Sequence, residues 1–295
     1  MTVALRDARR QCGMVGRRDF VVTPDLVYAD DTVLLGSSAV EVQKYLDHIT
    51  AVGRSYGLEL NFLKTILLRV RGEYDIYGAD GKPLQVKSQA VFLGGLLSTD
   101  GRVGAELSRR TGEGRDCFHT LARVWRHANI SKTRKMQIFE ACIVSKVLYG
   151  LETVWLLKDQ LRKLDAFFYS CLRKIAGVLP SFLSRIPNTA ILAQLRAIPL
   201  SQTLHKRQLM LYGKLVQKPD ADFTRRVAIE PGDCRPRDWK PKRRVGRPCL
   251  RWAESVYAMG LKSFGGNVLD FHGHLNTPGP FHWRSVVSQL HCLGS

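Results

Sequence analysis

Leu26-Val27-Tyr28-Ala29-Asp30-Asp31-Thr32-Val33-Leu34-Leu35 places two adjacent carboxylates between two apolar, β-forming runs. Asp tolerates turn geometry, so the pattern predicts a tight β-hairpin carrying Asp30 and Asp31 at its tip. Carboxylates fixed on a rigid hairpin can hold Mg²⁺ against a nucleotide triphosphate. An Asp-Asp pair is also what an ordinary solvated turn looks like in a chain of 295 residues, and the stretch alone does not choose between the two.

The residues that follow narrow the choice. Ser37 to Tyr56 reads as an amphipathic helix, with Val42, Leu46, Ile49, Val52 and Tyr56 at three- and four-residue steps. Ser38 and Glu41 stand in capping-box register, and Gly57 suits the C-terminal stop. Gly57-Leu58-Glu59-Leu60-Asn61-Phe62-Leu63-Lys64-Thr65 then runs into the strand-like Ile66-Leu67-Leu68. Past a turn at Gly78-Ala79-Asp80-Gly81, a second apolar stretch, Val91 to Leu97, is closed by Ser98-Thr99-Asp100-Gly101. Asp-Gly at both turns is good loop chemistry.

Taken in this order, Tyr28-Ala29-Asp30-Asp31, the Gly57-to-Thr65 segment and Phe92-Leu93-Gly94-Gly95 through Asp100-Gly101 resemble the reverse transcriptase of non-LTR (LINE-type) retrotransposons. The resemblance implies an α+β fold: a partial reverse-transcriptase palm of catalytic β-hairpin, helix, motif-D strand and primer-grip hairpin. An α-helical thumb and a C-terminal helical and basic region would follow. It makes Asp30 and Asp31 the Mg²⁺ ligands and catalytic acids, with Tyr28 and Ala29 beside the bound nucleotide. It sets Lys64 near the leaving pyrophosphate, where a cation stabilises charge or delivers a proton. Phe92, Leu93 and Gly94 would press on the primer's last nucleotide, although a buried hairpin suits the same residues. Asn61 is equally readable as a simple turn residue. The implied partners are an RNA template, a DNA primer and dNTPs. Later segments are similar to the same family: Ile130 to Arg134, Val147 to Glu152, Leu164 to Phe167, Cys171 to Ile175, Gly246 to Trp252, and Trp283-Arg284.

The family draws a further metal-binding Asp and a nucleotide-contacting segment from upstream of the hairpin. Only 27 residues precede Tyr28 here, and neither Asp7 nor Asp25 sits in a matching context. Met1 to Arg10 looks like the tail of the helix that follows the missing segment. The expectation is therefore a C-terminal portion of a reverse transcriptase beginning in mid-palm. Two-metal phosphoryl transfer needs carboxylates from separate strands converging on one ion pair. Neighbouring residues of a strand point to opposite faces, so Asp30 and Asp31 would not both reach one ion. The isolated chain is expected to be inactive as a polymerase.

Composition favours a polyanionic partner: 45 Lys and Arg against 26 acids give a formal charge of +19. From Gly101 to Lys135, nine Lys/Arg face three acids, a local +6. A helix there would bury Phe118, Leu121, Val124 and Trp125, leaving Arg109, Arg110, Arg123 and Arg126 to track a nucleic-acid backbone. A plain solvated face is the competing reading. From Arg235 to Arg251, eight Lys/Arg face one acid, a local +7, with Arg243, Arg244 and Arg247 as candidate contacts. Pro and Gly keep that segment extended, as a linker, a nuclear-import patch or a minor-groove insert. Val245 replaces the first Arg of an Arg-Gly-Arg-Pro minor-groove core, which favours a basic linker.

Apolar stripes predict further helices. One carries Met136, Phe139, Cys142, Ile143 and Val147 behind a Ser131 cap. The next carries Leu161, Leu164, Phe168, Cys171, Leu172 and Ile175, ended by Gly177 and Pro180. Two more cover Thr189 to Ala197 and Leu200 to Val216, split by Pro199. The expected organisation is a partial palm over 1–101, a helical thumb-like and connecting region over 102–217, a basic linker over 218–248 and a C-terminal segment over 249–295. Seven scattered cysteines suggest no disulfide framework, and Cys234, Cys249, His272, His274 and Cys292 lack zinc-ligand spacing. With no signal peptide or long apolar span, the reading is intracellular, with nuclear import one use of the second basic cluster. Besides the reverse-transcriptase reading, two others stand: a non-catalytic RNA- or DNA-binding protein, and an element remnant with no selected function.

Overall fold

The computed structural model describes residues 4–5, 7–8, 25–70, 72–127, 129–238, 251–279 and 281–290. The chain divides into two units, Met1–Arg102 and Val103–Ser295.

In the first unit, β1 (Asp25–Tyr28) and β2 (Asp31–Leu34) form an antiparallel hairpin with Tyr28 opposite Asp31. The following helix spans Ala39–Ser55; Ser38 Oγ accepts from the Glu41 N–H at 3.4 Å, and Gly57 takes φ 69° just beyond its end. Tyr45 and Val52 pack with Ala4 and Ala8, while Leu46 packs with Ile76 and Leu84, so two small clusters lie on different faces of one helix. The Gln43 amide joins this helix to the chain at Tyr77, accepting from its N–H at 2.7 Å and donating to its carbonyl at 3.0 Å.

β3 (Ile66–Leu68) pairs in parallel with β4 (Gln85–Lys87), and β5 (Gln89–Phe92) pairs antiparallel with β6 (Gly95–Ser98). The described strands thus form three two-stranded sheets with no hydrogen-bonded continuity between them. Large exposed apolar side chains are frequent in this unit, among them Val91 and Val70.

The second unit is helical and has two cores. Phe118, Phe139, Ile143, Leu164, Phe168 and Leu172 belong to the first. Leu209, Tyr212, Val256, Phe271 and Trp283 belong to the second. The long helix Leu200–Val216 serves both, contributing Leu200 and Leu204 to one and Leu209, Tyr212 and Val216 to the other. Its start after Pro199 is the one the sequence marks.

Two expectations need correction. Cys142 is exposed rather than part of an apolar stripe. The helix Lys132–Phe139 passes into a π-helical turn at Glu140–Val144 before resuming at Ser145–Leu148. The wider turn rotates the residues after Phe139, so Ile143 and Val144 face inward while Cys142 faces out.

The proposed linker is packed structure as far as Asp238. Asp222 caps a helix at Phe223–Ala228, and Ile229 and Cys234 are buried. The guanidinium of Arg225 is buried and donates to the Val216 carbonyl, to the Asp233 carbonyl at 2.9 Å and to Asp220 at 2.7 Å. Pro, Gly and Arg here serve tight turns around a buried cation, which composition alone does not separate from a linker.

Candidate functional site

The hairpin around Asp30 and Asp31 is tight: Ala29 and Asp30 form a two-residue turn, and Ala29 adopts φ 54°. A positive φ at the first turn position matches the type II′ connection, which follows the natural twist of paired strands and normally selects Gly. Ala29 therefore carries backbone strain. Asp31 opens β2 opposite Tyr28, and both are exposed, Tyr28 at 64 %. Asp30 and Ala29 are exposed too.

Register fixes which groups share a side of the hairpin. Asp31 and Tyr28 lie on the same face as Leu26 and Val33, because cross-strand partners point alike and alternate along the strand. Asp25 falls with its partner Leu34 on the other face and is 3 % exposed. Leu34 packs against both small clusters of the unit, so that face is the core side. Asp25 consequently does not complete a carboxylate set with Asp31. Among the described residues, no group of three or more His, Cys, Asp or Glu side chains is placed to hold a metal ion.

Lys64 is exposed in the turn leading to β3. Asn61 organises that turn: its carbonyl accepts from the Thr65 N–H at 3.1 Å and its Oδ1 from the Lys64 N–H at 3.3 Å. A cleft of about 200 Å³ in the same unit is lined by Asp47, Thr50, Arg54 and Phe62 among others, with no residue of the β1–β2 hairpin.

Phe92, Leu93 and Gly94 stand at the head of the β5–β6 hairpin. Leu93 (φ 48°) and Gly94 (φ 76°) are its two turn residues, the double positive φ of a type I′ turn. Val91, Leu93 and Leu97 are all more than 40 % exposed, so the hairpin is not a buried one.

The first basic cluster separates into two sets. Arg109 grips Glu106 with Nε and Nη2, each at 2.8 Å, and Glu113 with Nη1 at 2.7 Å. Arg110 is buried, donates from Nε to Glu106 at 2.7 Å and lies 4.8 Å over the Tyr149 ring. Burial opposes ionisation of Glu106, yet the bonds from Arg109 and Arg110 hold its carboxyl below the usual range. Lys135 is buried as well, donating to the Trp125 carbonyl at 2.8 Å. Arg110, a candidate backbone contact on sequence grounds, thus helps build the helix packing and cannot present its charge to a phosphate.

Arg123 and Arg126 are exposed on the short helix Ala122–Arg126, one turn apart, and Lys132 and Arg134 are exposed on the next helix. Among the described residues none of these four forms an ion pair with an acid. Lys132 and Arg134 were legible only as members of the charge cluster, because charge counting does not separate exposed from buried cations. Arg243, Arg244 and Arg247 lie outside the described residues.

Among the described residues no helix is long and apolar enough to cross a membrane. Cys117, Cys142, Cys171 and Cys234 are free thiols. Burial pushes the Cys171 thiol up to about 11.

The chain is 24 % identical over 243 residues to an uncharacterized transposon-derived protein of Caenorhabditis elegans, a match covering 79 % of this chain and 83 % of that protein. No family model matches the chain, and no solved structure matches it.

Proposed function

We propose that this chain is a transposon-derived relative of non-LTR reverse transcriptases that binds RNA or DNA without polymerising it. The observation that carries the reading is the strained two-residue hairpin with Asp30 and Asp31 exposed at its head. A non-glycine residue held at positive φ is a strained position, and strain of this kind clusters at functional sites. The similarity to a transposon-derived protein supports the transposon origin in this reading.

The residues present do not fit a two-ion centre. Asp30 sits in the turn, Asp31 opens a strand, and Asp25 is buried on the opposite face. Two exposed carboxylates would hold one Mg²⁺ weakly, since such an ion keeps most of its water and needs substrate phosphates to complete its shell. RNA template, DNA primer and dNTPs are therefore partners of the family's chemistry. Nucleic-acid binding in this chain rests on Arg123, Arg126, Lys132 and Arg134 together with the +19 charge.

Two measurements on the full chain test the reading. Primer extension on an RNA template with Mg²⁺ and dNTPs should give no product; incorporation that disappears in Asp30→Ala would overturn the non-catalytic assignment. Binding to a labelled oligonucleotide should weaken with salt, by a log–log slope of roughly −0.7 to −0.9 per phosphate neutralised. Salt-independent or undetectable binding would overturn the nucleic-acid assignment.

A further inference from the structure

We infer that the loop from Leu179 to Ile186 is a base-stacking contact for single-stranded nucleic acid, with Phe182 as the stacking ring. The inference rests on the nucleic-acid-binding reading and assigns a surface to it.

The helix Lys158–Ala176 ends at Gly177, whose φ of 75° lets Val178 N–H reach back to the Arg173 carbonyl at 2.9 Å. From inside that last turn the buried Arg173 side chain holds the loop from beneath. Its guanidinium donates to the Leu179 carbonyl at 3.1 Å, Ser184 Oγ at 3.2 Å, the Ile186 carbonyl at 2.5 Å and Asn188 Oδ1 at 2.9 Å. Five donors in a planar fork fix several acceptors at once, so the loop backbone is set in place.

The loop so held displays apolar side chains. Phe182 is 79 % exposed, Leu179 63 %, Leu183 60 % and Ile186 38 %, and the short helix Ser181–Ser184 buries none of its residues. Four large apolar side chains left in water within eight residues mark this loop for contact.

Charge selects the kind of partner. From Ala166 to Pro219 the chain contains eight Lys and Arg and no Asp or Glu. Within that stretch Arg185 ends the short helix in a left-handed conformation, φ 54°, and is exposed; Arg196, φ 52°, ends the next helix in the same way. An exposed ring in a stretch of sequence that carries cations and no acid, with the exposed Arg185 three residues on, suits a polyanion whose bases offer flat apolar faces. Single strands fit better than duplex because their bases are already available, whereas a duplex must first be unstacked.

The test uses the full chain and a single-stranded oligonucleotide carrying 2-aminopurine, read by anisotropy for affinity and by base emission for stacking. Phe182→Ala should weaken binding roughly five- to a hundredfold, from the usual worth of one base–aromatic stack, and abolish the emission change. Phe182→Trp should retain both. An exposed ring can be removed without unfolding the protein, which a thermal melt verifies. If the parent protein binds but Phe182→Ala behaves identically, the stacking assignment falls and nucleic-acid binding stands. If the parent protein does not bind, both fall. If Phe182→Ala abolishes self-association in sedimentation while leaving nucleic-acid affinity unchanged, the patch is a protein surface and the inference is wrong.

Discussion

Arg173 and Asn188 meet across the loop that separates their helices: Nε and Nη2 of the guanidinium both reach Asn188 Oδ1, at 3.3 and 2.9 Å. Arg173 is 6 % exposed, and its hydrogen bonds in the structure run to carbonyl, hydroxyl and amide oxygens. A charged donor satisfied by several neutral acceptors is a structural clamp, stronger per bond than a neutral pair.

Removing the clamp should cost stability. Arg173→Ala leaves the Leu179 and Ile186 carbonyls and Asn188 without their donor, and is expected to destabilise the protein by about 2–3 kcal/mol. Arg173→Lys keeps the charge but not the fork, and should recover less than half of that loss. Urea unfolding of both variants measures it; a Lys variant as stable as the parent would show that charge alone suffices.

Close packing around Trp283 gives a second expectation. A Cβ at Gly213 would lie 2.2 Å from Trp283 Nε1, and that indole is 2 % exposed and donates to the Leu209 carbonyl at 2.8 Å. Gly213→Ala gains helix propensity of about 1 kcal/mol, but displacing a buried ring costs about 1–3 kcal/mol, so net destabilisation is expected. The smaller ring of Trp283→Phe opens room, so the double variant should be more stable than the sum of the singles, by about 1 kcal/mol. Strict additivity in denaturant unfolding would mean that the two residues do not compete for this space.

The helices were legible because their apolar residues recur at helical steps and their ends carry chemical marks, as at Ser38, Ser131, Gly177 and Pro199. The π-helical turn at Glu140–Val144 was not, since one extra residue per turn leaves the apolar composition unchanged while rotating Cys142 outward. The β1–β2 turn follows from local pattern, whereas the β5–β6 turn lies inside the apolar stretch Val91 to Leu97 and was expected only from the family resemblance; the sign of φ at Ala29 and Leu93 follows from neither, because neither residue type favours it. The buried roles of Arg110, Arg173 and Arg225 were hidden for another reason. Each is satisfied by groups on other turns or loops, and a sequence read for charge counts such cations as surface.

The β5–β6 turn can be tested by supplying the residue its geometry prefers. Leu93 holds φ 48° with its side chain 42 % exposed. Leu93→Asn would place Asn-Gly in a type I′ turn, the preferred pair for that geometry. It should stabilise the hairpin by about 1 kcal/mol, the usual order of left-handed strain in a branched residue. Slower amide exchange at Gln89–Ser98 in the variant measures this; faster exchange would show that the Leu93 side chain holds the hairpin more strongly than its backbone strains it.

Asp222 supplies an expectation about acid. Its carboxylate accepts from Thr224 Oγ1, from the Thr224 N–H at 2.8 Å, from the Arg225 N–H at 3.3 Å and from Lys218 Nζ. The Thr224 hydroxyl is the largest of the effects that lower its pKa to about 2. In the unfolded chain the same group titrates near its ordinary value of about 4. A folded-state pKa below the unfolded one means that the stabilisation is complete above about pH 4 and is lost as pH falls toward 2. Asp220, held low by Arg225, adds to the same slope. Asp222→Asn keeps an acceptor for the helix N-terminus but removes the titration. Its urea stability should therefore be lower than the parent's near neutral pH and converge with it toward pH 2. A difference between the two proteins that stays constant across that window would show that Asp222 acts only as a neutral cap.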